Sequence, residues 1–440
     1  MGAMEGGRVL VLRVREFDMD KDLAAVEELE RRCQVGLSGD ADAAVDDSAG
    51  GAKRKKKKSK KKRSGMSLCV EQVGDPLARV RHAPEHVMLV AEYGEEKEMV
   101  GVIKACVKVV SRGRGKKPSP SSRSANQPPP PAAAAATSYV KVACLLGLRV
   151  APSHRRLGIA TALVKRAEEW CRARGAAHAT MATTTSNAAS LALFKGRFGY
   201  RAFRRPVFLG RPVHAHRLPV PRGHRVLQLP PPLAAAAYAS LLPARSTEFL
   251  PADMPALLAH KLTLGTFVAI EAGDPAADRP RPPSFAVLSV WDATRSLRLR
   301  VRGAPALLRG SLAALRALDR GAPWLRVPSI PDIFRPFGAY LLYGLRMSGP
   351  EGAALLRSLC HHAHNVAREN PACAVVAADV APDDPAAAAV PSWRRFSCDE
   401  DVWCIKNLGK GSNAGDGVED DDWAAPAPPG TLLFVDPREF

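Results

Sequence analysis

Residues 153–163 read SHRRLGIATAL, and they follow an apolar run, VACLLGLRVAP. The pattern predicts a strand that passes into a helix through Arg155, Arg156 and Gly158. A helix N-terminus presents unpaired backbone N–H groups and the positive end of the helix dipole, so it favours an anion. Gly158 and Ala160 leave the backbone open to close approach, and the two arginines add cationic donors. The turn is a candidate anion site, and an ordinary strand-to-helix turn on a basic chain is the plainer alternative.

The elements around this turn predict an α+β fold with a mixed, mostly antiparallel sheet over residues 8–217. Hydrophobic periodicity gives the order β, α, β, β, β, α, β, α, β. After the turn, apolar residues recur at helical spacing from Ile159 to Cys171, and Gly175 is a predicted C-terminal stop. A P-loop signature and a Rossmann glycine signature are both absent, and the strands do not alternate as β-α-β units.

Low-complexity stretches divide the chain. Residues 38–65 and 111–137 lack the apolar content that would offset the entropy of ordering, so we predict disordered inserts there. The stretch LPPPLAAAAYASLLP predicts a linker over residues 218–244. A second domain is predicted over residues 245–408, and a glycine-rich, acidic tail over residues 409–440.

The second domain repeats the order of the first. Both halves contain a strand that ends in Gly-Leu-Arg, a glycine turn, a helix and another strand. In the second half the turn reads SGPEGAA, with Gly349 in the place of Arg155 and with Glu351 adding a negative charge. A carboxylate there would repel an anion, so the second copy is predicted to be degenerate and to serve in packing or in building a substrate surface.

The net charge of +20 over 440 residues is concentrated in KRKKKKSKKKR, residues 53–63. A purely basic, low-complexity run of this kind is typical of a nuclear-localisation signal. We therefore expect that this protein contacts the nuclear import machinery through the run and is located in the nucleus, with the cytoplasm as a second location. Acidic membrane surfaces and nucleic acid are the alternatives. No aromatic residue is interleaved with the run, which makes direct nucleic-acid binding a weak expectation.

Cysteine usage and hydropathy indicate an intracellular protein. Nine cysteines are scattered without a C-x-x-C pair, which predicts reduced thiols. No secretory signal and no apolar run of membrane-spanning length is present, so no membrane contact is expected. The segment CHHAHNVARE places Cys360, His361, His362 and His364 on different helix faces, so we expect no metal there.

The run Arg155-Arg156-Leu157-Gly158-Ile159-Ala160 resembles the [RQ]-x-x-G-x-[GA] signature of the GCN5-related N-acetyltransferase (GNAT) superfamily. The resemblance implies a GNAT fold, acetyl-CoA as co-substrate, and a protein amine or small-molecule amine as acceptor. The coenzyme pyrophosphate would lie on the N–H groups of this turn, and the pantetheine arm between the fourth and fifth strands. The residues that the resemblance assigns to coenzyme binding are Leu148, Arg149, Val150, Arg155, Arg156, Leu157, Gly158, Ile159, Ala160, Thr161, Asn187, Ser190 and Phe194.

The segment SNAASLALFKGRFGY resembles the later N-x-x-A-x-x-L-Y motif of the same superfamily. Asn187 is there either a coenzyme contact or a simple helix cap. Most of the chain is similar to the plant HOOKLESS-type N-acetyltransferases. That likeness implies a nuclear regulator of hormone-dependent differential growth. The internal repeat predicts two tandem GNAT-like domains, the second of them degenerate.

Two departures from the superfamily pattern concern catalysis. Phe194 occupies the position where a tyrosine often protonates the coenzyme thiolate, and phenylalanine has no proton to give. The fourth strand, YVKVACLLGL, contains no carboxylate, and Glu92 on a neighbouring strand is the nearest candidate base. The catalytic residues are thus unassigned, and a scaffold that binds acetyl-CoA without catalysis is the alternative to an enzyme. The acceptor and the oligomeric state have no sequence signal.

Overall fold

A computed structural model describes residues 3–5, 8–33, 67–71, 75–113, 139–272, 284–296, 298–398, 401–409 and 423–439. The predicted insert at 38–65, which contains the basic run at 53–63, and residues 114–137 of the predicted insert at 111–137 lie outside these ranges. Residues 111–113 are described, and Ser111 and Arg112 complete a long strand.

The described chain contains strands β1 to β19 and α-helices α1 to α8. The strands are β1 Ala3–Glu5, β2 Arg8–Leu10, β3 Leu12–Glu16, β4 Ser67–Glu71, β5 Glu85–Tyr93, β6 Glu98–Arg112, β7 Tyr139–Val150, β8 His178–Thr184, β9 Arg201–Arg204, β10 Val207–Pro212, β11 His224–Leu229, β12 Thr247–Pro251, β13 Thr263–Glu271, β14 Phe285–Asp292, β15 Arg298–Arg302, β16 Gly338–Ser348, β17 Cys373–Val380, β18 Asp401–Asn407 and β19 Leu432–Leu433. The helices are α1 Met19–Arg32, α2 Ile159–Ala173, α3 Ala188–Leu191, α4 Pro231–Leu241, α5 Met254–Leu258, α6 Ala306–Gly321, α7 Gly352–Arg368 and α8 Pro385–Ala389.

The first large sheet has the order β3-β5-β6-β7-β8-β18-β9, and β12 and β19 extend it from the far end of β6. The pairs from β3 to β7 are antiparallel, and β7 with β8 is parallel. Strand β6 is buried along almost its whole length because elements cover both of its faces. Helix α2 packs through Ile159, Leu163 and Ala167, as the helical spacing predicted.

The second large sheet repeats this plan with the order β11-β13-β14-β16-β17-β10. Its one parallel pair is β16 with β17, which corresponds to β7 with β8. Helix α7 packs on β14 and β16 through Leu355, Leu356 and Leu359. The predicted internal repeat and the mostly antiparallel α+β architecture are therefore both present.

Each of the two large sheets contains at least one strand from the other half of the chain. Strand β10, from the first half of the sequence, pairs antiparallel with β17 at the edge of the second sheet. Strand β18, from the second half, lies between β8 and β9 in the first sheet. The domain predicted over residues 245–408 therefore does not keep its last strand in its own sheet. The boundaries at 217 and 245 do not separate two sheets, because each sheet needs a strand from the other half.

The predicted linker at 218–244 was also wrong. It contains β11, the edge strand paired with β13, and α4, whose Tyr238 is buried. Pro231 and Pro232 of this segment stand in the first turn of α4, where a missing N–H has no intrahelical partner to lose. A proline-rich composition that is typical of a linker is here the start of helix α4.

The predicted tail is packed in its last part. Residues 423–439 are described, and Trp423, Phe434 and Asp436 are buried. Strand β19 pairs with β12, and Phe434 contacts the second half's core. No described helix has the length and apolar character needed to span a bilayer.

Candidate functional site

An opening begins in the first sheet where the parallel pairing of β7 and β8 stops. The paired residues run from Val142 with His178 to Leu145 with Met181. Beyond Leu145, β7 continues to Val150 and β8 to Thr184 without further pairing between them. The free strand edges can hydrogen-bond an extended ligand, as the resemblance implies for a pantetheine arm.

A bulge in β7 lies at the mouth of this opening. Lys104 of β6 pairs with Leu146 and Val102 pairs with Arg149, so Ile103 opposes two residues, Gly147 and Leu148. Gly147 has φ 65°, the left-handed conformation that glycine adopts without strain. The second sheet has the same bulge at Gly344, also with φ 65°.

The turn at residues 155–158 follows directly and begins α2. Arg156 and Gly158 both have left-handed backbone conformations, with φ 67° and 80°. A Cβ added at Gly158 would meet no described atom within 4 Å, so the space beside it is open. Arg155, Arg156 and Leu157 are exposed there. The first-turn N–H groups of α2, from Ile159 to Thr161, have no intrahelical acceptor, and an anion can take that role.

The end of β7 is fixed from both sides. The carbonyl of Val150 accepts from Cys33 Sγ at 3.3 Å, and Ala151 N donates to Val100 O at 2.8 Å. Arg149 Nη1 donates to the Leu148 carbonyl, and burial lowers the pKa of Arg149. The predicted residues Leu148 to Val150 therefore lie between the opening and the turn, on a strand end held by α1 and β6.

The segment at Asn187 has a structural role. Asn187 Oδ1 accepts from Ser190 N at 3.1 Å and so caps α3, which continues into a π-helical turn at Ala192–Arg197. Phe194 is 3% exposed and lies in the core beside Phe198 and Tyr200. The cap interpretation of Asn187 is confirmed, and coenzyme contact by Asn187, Ser190 and Phe194 stays a prediction.

Glu92, the carboxylate suggested as a base, is engaged elsewhere. Its Oε1 accepts from Arg15 Nε at 2.8 Å, and Arg15 also pairs with Asp22 of α1. Glu92 pairs across the sheet with Met99, five residues along β6 from Lys104. The ion pair ties β3 to β5 and α1, and it keeps Glu92 away from the bulge.

Lys104 and Glu30 are the titratable pair beside the bulge, and sequence reasoning missed them. Lys104 is 1% exposed, and its Nζ donates to Glu30 Oε1 of α1 at 3.1 Å. Burial lowers the pKa of Lys104 to about 8, although the carboxylate of Glu30 acts in the opposite direction. The available signal was a lysine inside the apolar run EMVGVIKACVKVV.

The C-terminal segment covers the next part of the same sheet face. Lys108, four residues beyond Lys104 on β6, forms ion pairs with Asp436 and Glu439. Arg79 Nη2 donates to the Glu439 carbonyl at 2.7 Å, and Arg438 pairs with Asp253 of the second half. The C-terminal segment is therefore anchored both to β6 and to the second half.

The corresponding opening of the second sheet is filled by the chain itself. The ring of Tyr238 comes within 2.8 Å of the position that a Cβ would take at Gly344. Leu433 and Phe434 line the remaining small cavity together with Tyr343 and Asp379. The turn at Gly349 packs closely against Ser284, and Glu351 begins α7. These contacts agree with a second copy that holds no coenzyme.

The histidine-rich segment of α7 makes hydrogen bonds within the protein. His364 Nε2 accepts from His214 N at 2.8 Å, and His361 Nδ1 bonds with the Pro219 carbonyl. Cys360 is buried, and its pKa is raised to about 12 by burial. Among the residues that the structure describes, no group of three or more potential ligands could hold a metal ion.

Comparison with known proteins agrees with this geometry. The family model described as the acetyltransferase (GNAT) family matches residues 69–200, which include the bulge, the turn and α2. A curated rice protein (Oryza sativa subsp. japonica) named "Acetyl transferase GW6a" is 73% identical over 442 residues, which are 98% of this chain and 98% of the relative.

The chain belongs to the GNAT acetyltransferase family. An Arabidopsis thaliana relative, "Probable N-acetyltransferase HLS1", is 42% identical over 97% of this chain and 99% of its own. The GNAT assignment and the likeness to HOOKLESS-type proteins are thus confirmed, and the chain is an N-acetyltransferase by family.

Solved structures are similar to this GNAT protein at the level of fold. Saccharomyces cerevisiae N-myristoyltransferase with bound myristoyl-CoA is 11% identical with a TM-score of 0.48, over 90% of this chain and 79% of that chain. A tandem GNAT protein from the clavulanic acid biosynthesis pathway is 13% identical with a TM-score of 0.44, over 91% and 100% of the two chains. Neither likeness carries an argument about function.

Proposed function

We propose that this protein transfers the acetyl group of acetyl-CoA to an amine of a protein or of a small molecule. The observation that carries the proposal is the continuous path formed by the opening between β7 and β8, the bulge at Gly147 and the turn at residues 155–158. The second half has the same strand geometry, but its opening is filled, so the proposal concerns the first half alone.

The residues of the path fit the parts of the coenzyme. The pyrophosphate would lie on the N–H groups from Arg156 to Thr161, where the helix dipole and two arginines favour negative charge. The pantetheine arm would follow Leu148 to Val150 along the unpaired edge of β7. Acetyl-CoA supplies an activated thioester, and the chain's part is to position the thioester carbonyl beside the bulge.

The surroundings of the bulge favour a neutral acceptor amine. Lys104, Arg149 and Arg79 are cations near the bulge. The charges of Arg79 and Arg149 lower the pKa of Lys104, and the charge of Arg149 lowers the pKa of Arg79. Neighbouring positive charge disfavours a further ammonium, so an acceptor amine that arrives there loses its proton more readily. A neutral amine is the form that attacks a thioester.

Calorimetry with acetyl-CoA tests the coenzyme site. Gly158→Glu places a side chain in the open space of the turn and a negative charge beside the pyrophosphate, and we expect binding to fall at least 100-fold. Gly196→Glu is the matched control, because it adds the same side chain at an exposed glycine with open space. Equal binding by all three proteins, or none by wild type, would refute the proposal.

Acetyl transfer separates the enzyme from a coenzyme-binding scaffold. Wild type and Gly158→Glu are incubated with acetyl-CoA and a panel of lysine peptides, peptides with free amino termini and small amines, and acetylated product is measured by mass spectrometry. We expect product from at least one acceptor with wild type and a strong loss with the variant. Binding without any product would favour the scaffold.

We also propose that the protein acts in the nucleus, supported by the basic run at residues 53–63. Replacing its lysines and arginines with glutamine should shift a fluorescent fusion from the nucleus to the cytoplasm. The same number of substitutions among the other exposed basic residues is the control. An unchanged nuclear signal would count against this run as the import sequence.

A regulatory role in hormone-dependent differential growth is the further proposal that the HOOKLESS-type likeness supports. A plant line without this protein is complemented with wild type or with Gly158→Glu, and growth curvature is measured with and without hormone. We expect only wild type to restore the response. Full restoration by the variant would separate the growth role from coenzyme binding.

A further inference from the structure

Lys104 lies against the bulge that marks the predicted position of the thioester. Its Cδ is 3.4 Å and its Cε 3.8 Å from the position that a Cβ would take at Gly147. The parallel pairing of β7 with β8 ends at Leu145, one residue before Leu146, the partner of Lys104. The lysine side chain therefore crosses β7 where the sheet opens.

Charged groups from three segments act on the buried ammonium of Lys104. Glu30 of α1 accepts its hydrogen bond, Arg79 approaches from the segment before β5, and Arg149 approaches from β7. Burial of a lysine is costly unless the charge is paired. Because methionine or leucine would suit this apolar strand better, a lysine at the mouth of the opening points to a function.

The usual proton donor is missing from its own position. Phe194 carries no proton, and its ring is packed in the core with Phe198 and Tyr200. A sulfur that gains a proton as its bond to carbon breaks departs as a neutral thiol, so a donor beside the sulfur raises the rate of this step. Lys104 is a side chain at the bulge that carries an acidic hydrogen.

We propose that Lys104 donates a proton to the coenzyme sulfur as the thioester breaks. This inference rests on the proposed acetyl transfer and assigns its proton donor. The acceptor nitrogen forms a bond to the carbonyl carbon, the carbon–sulfur bond breaks, and the sulfur takes its electron pair together with a proton from Lys104 Nζ. Lys104 becomes neutral, and the proton lost by the acceptor nitrogen restores its ammonium through water.

The acidity of Lys104 suits this step. Burial brings the pKa of Lys104 to about 8, close to the value of about 8.5 for an ordinary thiol. Proton transfer is most effective when donor and acceptor are matched and near the working pH. Glu30 stabilises the charged form, so Lys104 is protonated at neutral pH and can donate its proton when the carbon–sulfur bond breaks.

The test uses the full chain with Lys104→Met, Lys104→Arg and Lys108→Met. With the best acceptor of the peptide panel, we expect Lys104→Met to lower kcat by about 100-fold or more while acetyl-CoA affinity changes less than about threefold. Wild-type kcat should fall as the pH rises above about 8, and Lys104→Arg should move this fall to higher pH. Lys108→Met removes the neighbouring buried lysine and should leave the pH dependence unchanged.

A second measurement does not depend on the acceptor. The thiol of bound coenzyme A is titrated by the ultraviolet absorbance of its thiolate. Lys104 should lower the pKa of that thiol, so Lys104→Met should raise it while Lys108→Met should not. If Lys104→Met had the kcat of the wild type and left the pKa of the bound thiol unchanged, the assignment of Lys104 would be overturned. Absence of coenzyme binding by wild type would overturn the proposed function itself, and with it this step.

Discussion

Arg204 and Glu248 form a two-point ion pair in which Nε and Nη2 each donate to one carboxylate oxygen at 2.6 Å. Glu248 is 1% exposed and also accepts from Trp423 Nε1 at 3.2 Å. Through this carboxylate, β9 of the first sheet, β12 and the C-terminal part of the chain meet at one point.

Glu248→Ala should destabilise the protein by about 3–5 kcal/mol, because it leaves the partly buried guanidinium of Arg204 without its carboxylate. Urea unfolding followed by circular dichroism measures the change. Glu98→Ala is the control: Glu98 is about half exposed and makes only long ion pairs, so a far smaller loss is expected. A similar unfolding midpoint for both variants would contradict this account.

Ionisation of Asp379 should lower the free energy of unfolding as the pH rises. Its Oδ1 is buried without a hydrogen-bond partner among the described residues, and burial, with Asp401 nearby, raises the pKa of Asp379 to about 8. A raised pKa means that the folded chain holds this proton more tightly than the unfolded chain does. The resulting stability is complete below about pH 4 and is lost as the pH rises towards 8.

Asp379→Asn should therefore raise the free energy of unfolding by about 1–3 kcal/mol at pH 8 and change it little at pH 4. Thermal unfolding at the two pH values is the measurement. Asp384→Asn gives the opposite expectation, since Asp384 pairs with Arg346 and caps α8, and its loss should destabilise. No difference between the two pH values for Asp379→Asn would refute the explanation.

His364 should make the second half sensitive to acid. Burial, with His214 nearby, lowers the pKa of His364 to about 3, and its Nε2 accepts a hydrogen bond that a protonated ring could not accept. A lowered pKa means that stability is present above about pH 6.5 and is lost as the pH falls. Between pH 7 and pH 5 the midpoint of urea unfolding should fall in the wild type, and it should fall less in His364→Gln. An unchanged slope would exclude His364 as the sensitive group.

The strand exchange predicts that neither half folds alone. A cut between Arg222 and Gly223 lies in an exposed turn and leaves β12, β18 and β19 on one fragment and the other strands of the first sheet on the other fragment. Residues 1–222 expressed alone should be insoluble or unfold without cooperativity. Co-expression with residues 223–440 should give a soluble complex. Cooperative unfolding of the first fragment by itself would contradict the exchange.

Much of the candidate site could be predicted from the sequence because its signals are local. The run from Arg155 to Ala160 specified both the turn and the start of α2, and the repeated Gly-Leu-Arg specified the second copy. A glycine in a left-handed bulge and a helix start depend on a few neighbouring residues, so a short pattern is enough.

The missed features depend on contacts between distant segments. Strand β18 has the same alternation wherever it pairs, so periodicity could not say which sheet it joins. Proline-rich composition at residues 229–243 suited a linker as well as a helix start. Lys104 was visible as a charge in an apolar strand, but its partner Glu30 lies in α1, and only the fold brings the two together.

The position of β18 has a consequence for synthesis of the protein on the ribosome. The strand that pairs with β8 in the first sheet is residues 401–407, so this sheet stays incomplete until residue 407 has been translated. A chain that stops before residue 401, even one with the complete GNAT signature, lacks the strand that lies between β8 and β9. Closure of the first sheet thus requires that synthesis has passed residue 407.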